Sequence, residues 1–307
     1  MNIKKNILVT LGLSLGLLTA SAQQDAHYTM YTLNPMSVNS AYAGTRGHAS
    51  VIGMHRSQWV GLDGAPRTQH VSFDTPLSDR VGLGVSVIND ELGPSDEFFS
   101  DLNFSYRIPI SETHTLSFGL KAGARVLNID LSKADSQEQA DPALQDINNQ
   151  WLATIGAGIY AYGERSYIGL SIPNFVRSEH RSYDGTSFSA SAEEAIHWNL
   201  IGGLVTNVSE KVKLKPSFLL KHVSGAPLSL DLSATFLIGD VFMIGSSYRW
   251  DDSISGLIGF YVNPRLFLGY AYDYTTTPYR DFNNGSHEIA LRLDIFRDEV
   301  LKSPRFF

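Results

Sequence analysis

From about Arg46 to Phe296, hydrophobic residues recur at every second position in short runs separated by turns. The run Thr115–Val126 is the clearest: Leu116, Phe118, Leu120, Ala122, Ala124 and Val126 fall on one face. Thr115, Ser117, Gly119, Lys121, Gly123 and Arg125 fall on the other. A period of two marks a β-strand with one apolar and one polar face. Near 227–238 the alternation sets Leu228, Leu230, Leu232, Ala234, Phe236 and Ile238 against Ser229, Asp231, Ser233 and Thr235. Near 286–297 it sets Ile289, Leu291, Leu293 and Ile295 against Glu288, Arg292 and Asp294. A charged row along a strand is costly against lipid but acceptable towards a wet or salt-bridged lumen.

The pattern predicts about fourteen strands, near 47–60, 67–75, 80–89, 98–108, 114–127, 152–162, 166–175, 195–207, 211–222, 227–238, 240–250, 254–262, 265–275 and 286–297. Turn lengths sort by parity. Junctions after even strands are short (TPLSDR, IPISETH, YGERS, VSEK, GD, NPR), whereas those after odd strands are mostly longer: NDELGPSDE, about 128–151, about 176–194 and TTTPYRDFNNGS. Outer-membrane barrels have short periplasmic turns and longer outer loops. A soluble β-sandwich also alternates, but has no reason to sort its turns. The expected fold is therefore all-β, a transmembrane antiparallel up-and-down β-barrel over 46–297, with both termini in the periplasm. Tyr270, Tyr272, Tyr274, Trp198, Tyr248, Trp250 and Phe296 near strand ends suit interfacial girdles, or are simply strand-favouring aromatics.

The N-terminus supplies an address. Lys4 and Lys5, the apolar stretch Ile7–Leu18 and Ala20-Ser21-Ala22 read as a secretory signal peptide, residues 1–22, cleaved after Ala22. This predicts export to the outer membrane of a Gram-negative bacterium. With no cysteine in the chain, a lipoprotein anchor and a disulfide scaffold are both excluded. No later stretch approaches the roughly 18 apolar residues of a membrane helix. The mean hydropathy of −0.08 suits a barrel that dilutes apolar positions with polar ones. A formal net charge of −7 argues against nucleic acid as a partner.

Residues 23–45, containing Asn34-Pro35 and ending in Ala43-Gly44, lack a sustained period of two and are too short for a domain. Such a segment either folds into the lumen as a plug or binds a periplasmic partner. The segment resembles, together with residues 56–77, the PorP/SprF family of type IX secretion system outer-membrane proteins. The resemblance runs through Asn34, Pro35, Ala41, Tyr42, Ala43, Gly44, Arg56, Gln58, Trp59, Gly61, Gly64, Ala65, Pro66, Thr68 and Pro76. The closing Ser303-Pro304-Arg305-Phe306-Phe307 resembles the end of those proteins, within a C-terminal periplasmic tail at 298–307. The resemblance implies a non-enzymatic barrel that helps secrete particular cargo proteins, or holds their C-terminal domains at the surface, gliding adhesins among them. Partners implied are the cargo, type IX components in the periplasm or outer membrane, and the lipid bilayer.

Of the family-motif positions, Asn34, Pro35, Tyr42, Gly44, Arg56, Gln58, Trp59, Gly64, Pro66 and Thr68 are the candidate partner-binding or structural residues. Trp59 suits a membrane-interface anchor or a binding contact. Gly64 and Pro66 supply preset turn geometry. Arg56 is better placed to pair with a lumen carboxylate than to touch cargo. No catalytic, metal or cofactor site is expected. His55 and His70 would oppose one another if the first hairpin centres near Leu62, yet two imidazoles make only half a metal site. No P-loop occurs, and the acidic stretch SKADSQEQADPALQD lacks the ligand spacing of a calcium loop. The competing functions are an outer-membrane channel for small hydrophobic solutes and, more remotely, an outer-membrane hydrolase.

Overall fold

The computed structural model describes residues 27–133, 146–176, 196–224 and 226–295. The segments read above as signal peptide (1–22) and C-terminal tail (298–307) lie outside them, as does much of the two loops near 128–151 and 176–194. The strands are β1 (Ala49–Ser57), β2 (Arg67–Pro76), β3 (Val81–Leu92), β4 (Ser95–Pro109), β5 (His114–Ile129), β6 (Ile147–Gly163) and β7 (Ser166–Ile172). There follow β8 in two pieces (His197–Leu204 and Thr206–Ser209), β9 (Val212–Val223), β10 (Ser229–Ile238) and β11 (Phe242–Arg249). The last three are β12 (Ser253–Asn263), β13 (Leu266–Thr275) and β14 (Ser286–Ile295). Each is antiparallel to the next, and β14 returns to β1 with Ala49 opposite Ile295 and Ser57 opposite His287. The result is a closed barrel of fourteen strands. Both pieces of β8 pair with β9. The break falls at buried Val205, whose amide donates to the Arg165 carbonyl instead.

The wall is apolar outside and polar inside. On β14, Glu288, Arg292 and Asp294 are buried while Ile289, Leu291 and Leu293 are exposed. On β5, Ser117 is fully buried while Phe118 and Leu120 are exposed. On β10, Asp231, Ser233 and Thr235 point inward and Leu232, Phe236 and Ile238 outward. An outward apolar band suits lipid, and inward polar groups find partners across the lumen.

The turns separate the two mouths of the barrel. Those after even strands are short throughout. Those after odd strands include 58–66, 130–146, 173–196 and 276–285. One expected long loop is absent: NDELGPSDE belongs mostly to the strands, with only Gly93-Pro94 between β3 and β4. The polar residues there extend the hairpin as a ladder, with Asp90 opposite Glu97 and Leu92 opposite Ser95. Acidic composition suggested a loop, but a two-residue turn with Gly93 at φ +56° closes a hairpin.

The first hairpin also differs from expectation. Ser57 pairs with Arg67, which puts His55 opposite Gln69 and Met54 opposite His70. A slip of one residue moves a side chain to the other face. His55 is therefore exposed and His70 buried, so the two imidazoles do not meet.

Inside the barrel lies the segment 27–46, with short 3-10 turns at Pro35–Ser37 and Ser40–Tyr42. Met30, Tyr31, Leu33 and Ala41 are essentially inaccessible. They form one apolar cluster with inward side chains of the wall, including Ile201, Leu219, Leu237, Met243, Leu257 and Phe267. Part of the lumen thus has the apolar packing of a soluble protein's interior, an arrangement that strict polar-in alternation does not foresee.

Candidate functional site

The inner segment crosses the lumen from one mouth to the other, and its polar contacts follow that path. At the long-loop mouth the Thr29 amide donates to Glu288 Oε2 (2.8 Å) and the Met30 amide to Glu288 Oε1 (2.9 Å). The Thr29 hydroxyl donates to the Asp273 carboxylate at 2.8 Å. Arg56 joins the group, with Nη2 2.7 Å from Asp273 Oδ2 and Nη1 3.1 Å from Glu288 Oε2. The same guanidinium donates to the Thr29 hydroxyl oxygen at 3.1 Å. Arg56, Asp273 and Glu288 all stand one or two residues from the long-loop ends of their strands.

Deeper in, the Tyr31 hydroxyl meets Ser233 Oγ (3.2 Å) and Asn34 donates to Ser72 Oγ (3.0 Å). The Asn39 side chain donates to the Ile159 carbonyl on β6 at 2.9 Å, while Ser171 of β7 donates to the Val38 carbonyl at 2.7 Å. Ser117 and Ser105 then donate to the carbonyls of Ala41 and Ala43, both at 2.7 Å. Near the short-turn mouth, Asp74 accepts from the Gly44 amide (3.0 Å) and Arg107 donates to the Gly44 carbonyl (2.6 Å). Buried main-chain groups need such partners, and a row of small wall residues lets the segment come close enough to find them. A Cβ on Gly119 would lie 2.1 Å from the Ala41 nitrogen, and one on Gly82 2.2 Å from the Ala43 oxygen.

At the long-loop mouth, His27 is half-buried as a residue but its ring Nδ1 is enclosed. Burial, then the positive charges of Lys221 and Arg249, holds this imidazole well below its usual pKa.

The ten candidate residues fall into three groups. Asn34, Pro35, Tyr42, Gly44 and Arg56 belong to the lumen. Pro35 opens the first 3-10 turn, and Tyr42 packs edge-on against Tyr160 at 5.6 Å. Gly44 adopts φ +69°, and a Cβ there would come 2.9 Å from the Thr75 oxygen, so glycine is required twice over. Buried Thr68 on β2 is tied to the wall itself, donating to Asp90 Oδ1 at 2.6 Å. Gln58, Trp59, Gly64 and Pro66 form the β1–β2 loop, closed by the Gln58 amide on the Pro66 carbonyl.

That loop is joined to both neighbours. The Gly93 amide donates to the Gly64 carbonyl, and Val60 exchanges bonds with Gly285 and Asn284. Trp59 stacks on Tyr279 at 5.9 Å and 12° between planes. Its φ of +48° is unusual for a residue with a Cβ, and the strain is held by the loop contacts around it. Tyr279 and Phe282 beside it are exposed.

Thr29, Asp273 and Arg107 carry as much of the lumen network as any candidate, but nothing about their spacing singles them out. The charged row of β14 was the one available signal. It pointed to an ion-paired lumen, and Glu288, Arg292 and Asp294 are its members. Arg292 donates to the Tyr261 hydroxyl (2.7 Å) and sits 5.4–5.5 Å from the Tyr261 and Phe267 ring centres.

A closed fourteen-strand barrel with a lipid-type outer band and a filled lumen defines the outer-membrane β-barrel class. One solved structure agrees at the level of fold, and two more are similar over most of their length. The Ralstonia pickettii toluene transporter TbuX is 12% identical, with 84% of this chain and 92% of that one covered at a TM-score of 0.50. The monoaromatic hydrocarbon channel CymD is 13% identical over 93% and 97% of the two chains, at a TM-score of 0.49. Omp33 of Acinetobacter baumannii is 7% identical over 80% and 97%, at a TM-score of 0.47. No curated protein matches the chain significantly. The family described as type IX secretion system membrane protein PorP/SprF matches residues 20–293, and the chain belongs to that family.

Proposed function

We propose that this barrel is a non-enzymatic component of type IX secretion in the outer membrane, assisting the secretion or surface anchoring of specific cargo proteins such as gliding adhesins. Family membership over residues 20–293 is the observation that carries this reading. The filled lumen supports it: an inner segment bonded to β2, β4, β5, β6, β7, β10, β13 and β14 is built to stay. The 1–22 signal peptide directs export and is cleaved off, and the longer loops of the inserted barrel face outward. Those loops, on a rigid wall, are the surfaces offered to a cargo C-terminal domain. Co-purification from outer membranes should recover a type IX cargo protein or core component. Recovery of neither, with secretion intact after deletion, sinks the proposal.

The competing reading is a channel for small hydrophobic solutes, since the fold is shared with a protein named as a toluene transporter. Open conductance of the purified barrel in a planar bilayer would favour it. A closed barrel that still retains cargo favours anchoring.

A further inference from the structure

Two expected facts meet awkwardly in this molecule. Ala49 and Ile295, the ends of the barrel wall, stand together at the short-turn mouth, as the even strand number requires. Residues 27–29 nevertheless stand at the opposite mouth. The order of contacts leaves no ambiguity about direction. Thr29 is held by Asp273 and Glu288, two residues from the long-loop ends of β13 and β14. Asn34 reaches Ser72 in the middle of β2. Gly44 meets Asp74 and Thr75, at the short-turn end of β2. Position along the segment thus maps onto depth in the barrel. At the upper end one carboxylate, Glu288, accepts the two successive main-chain amides of Thr29 and Met30, which the turn beginning at Thr29 aims the same way.

We infer that the mature chain is threaded through its own barrel, so that its amino-terminal end is displayed at the long-loop mouth, latched there by Glu288, Asp273 and Arg56. This end therefore shares a face with the Trp59 loop and the loop 276–285. Under the orientation proposed above it is presented to the cell exterior, beside any cargo seated on those loops. The path of residues 27–46 rests on the described contacts; that the chain begins just ahead of them rests on the cleavage proposed above, and the name of the face on the proposed orientation.

The chain contains no cysteine, so single introduced thiols report position without background. Three variants suffice: Gln24→Cys, just ahead of His27; Asp63→Cys, exposed in the β1–β2 loop; and Glu112→Cys, exposed in the β4–β5 turn. Intact cells are treated with a bulky membrane-impermeant maleimide, then again after permeabilising the outer membrane. Gln24→Cys and Asp63→Cys should label in intact cells, and Glu112→Cys only after permeabilisation. Gln24→Cys following Glu112→Cys, or labelling on neither side, overturns the threading. Should Asp63→Cys and Glu112→Cys exchange behaviour, the proposed orientation fails. Threading then still requires Gln24→Cys to follow Asp63→Cys.

Discussion

Replacing Arg56 with Met tests the upper clamp directly. The guanidinium lies 2.7 Å from Asp273 and 3.1 Å from Glu288, and all three side chains are at most 3% exposed. Removing one partner of a buried ion pair costs about 3–5 kcal/mol, because the remaining charge is left uncompensated. Here the two carboxylates keep the Thr29 hydroxyl and the amides of Thr29 and Met30 as donors. That retained solvation places the cost near the lower end, about 3 kcal/mol. The loss should fall on local opening of the inner segment rather than on the wall, whose ladders are untouched. About 3 kcal/mol is roughly a hundredfold in the opening equilibrium. Hydrogen exchange of peptides covering 27–34, in the purified barrel, measures it. Protection should fall roughly a hundredfold in Arg56→Met and return in part in Arg56→Met/Asp273→Asn/Glu288→Gln, which leaves no buried charge unpaired at the clamp but has one oxygen for the two amides that Glu288 accepts. Protection within about threefold of the parent, or no recovery in the triple variant, refutes the reasoning.

Other expectations follow from the same contacts. Gly119→Ala should displace the inner segment, because its Cβ meets the Ala41 main chain at 2.1–2.4 Å, whereas Gly53→Ala meets nothing within 4 Å; overpacking of about 1–3 kcal/mol or more should appear as lowered melting temperature in the first variant alone. His27 has a folded pKa below its unfolded value, so the folded state binds fewer protons and stability is lost as pH falls below the ordinary value of 6.5. Melting at pH 7.5 and 5.5 should show that loss in the parent and a smaller loss in His27→Asn. Leu120→Lys puts a charge on the lipid face, where the side chain is 61% exposed; a cost of about 2–4 kcal/mol near the bilayer centre should reduce folding into lipid vesicles, and unchanged yield would count against a membrane-facing wall. Exchanging the loops near 128–151 and 176–194 for those of a related barrel should exchange cargo preference in pull-downs.

The wall of the barrel was largely legible because inside and outside solvents differ so sharply in polarity. Alternation in the runs holding Leu120, Phe236 and Leu291 assigns each side chain to lipid or lumen without knowledge of any partner. Register was less legible, since period two is blind to a one-residue slip at a turn. His55 and His70 show it: the pairing of Ser57 with Arg67 separates them by a face. The β3–β4 hairpin was obscured for another reason. Asp90, Glu91, Asp96 and Glu97 have loop-like composition, yet they ladder beyond the apolar band, where water replaces lipid as the outer solvent. The inner segment carried no periodic signal because its turns are moulded to the lumen. Its amides answer to residues such as Glu288, which only barrel closure brings near. The position of Arg56 on the inner face was readable, but its pairing with Asp273 and Thr29 was not.

The Thr29–Glu288 bond spans 259 residues. The earliest described part of the chain is therefore fastened by the last of the described strands. Until β14 closes against β1, the Thr29 and Met30 amides lack their Glu288 acceptor, and the clamp has only Asp273 and Arg56. Premature arrest anywhere before Glu288 leaves those two amides without that acceptor. The bond can form only when Glu288 and every strand before it are present, so a fastened inner segment marks a wall complete through β14.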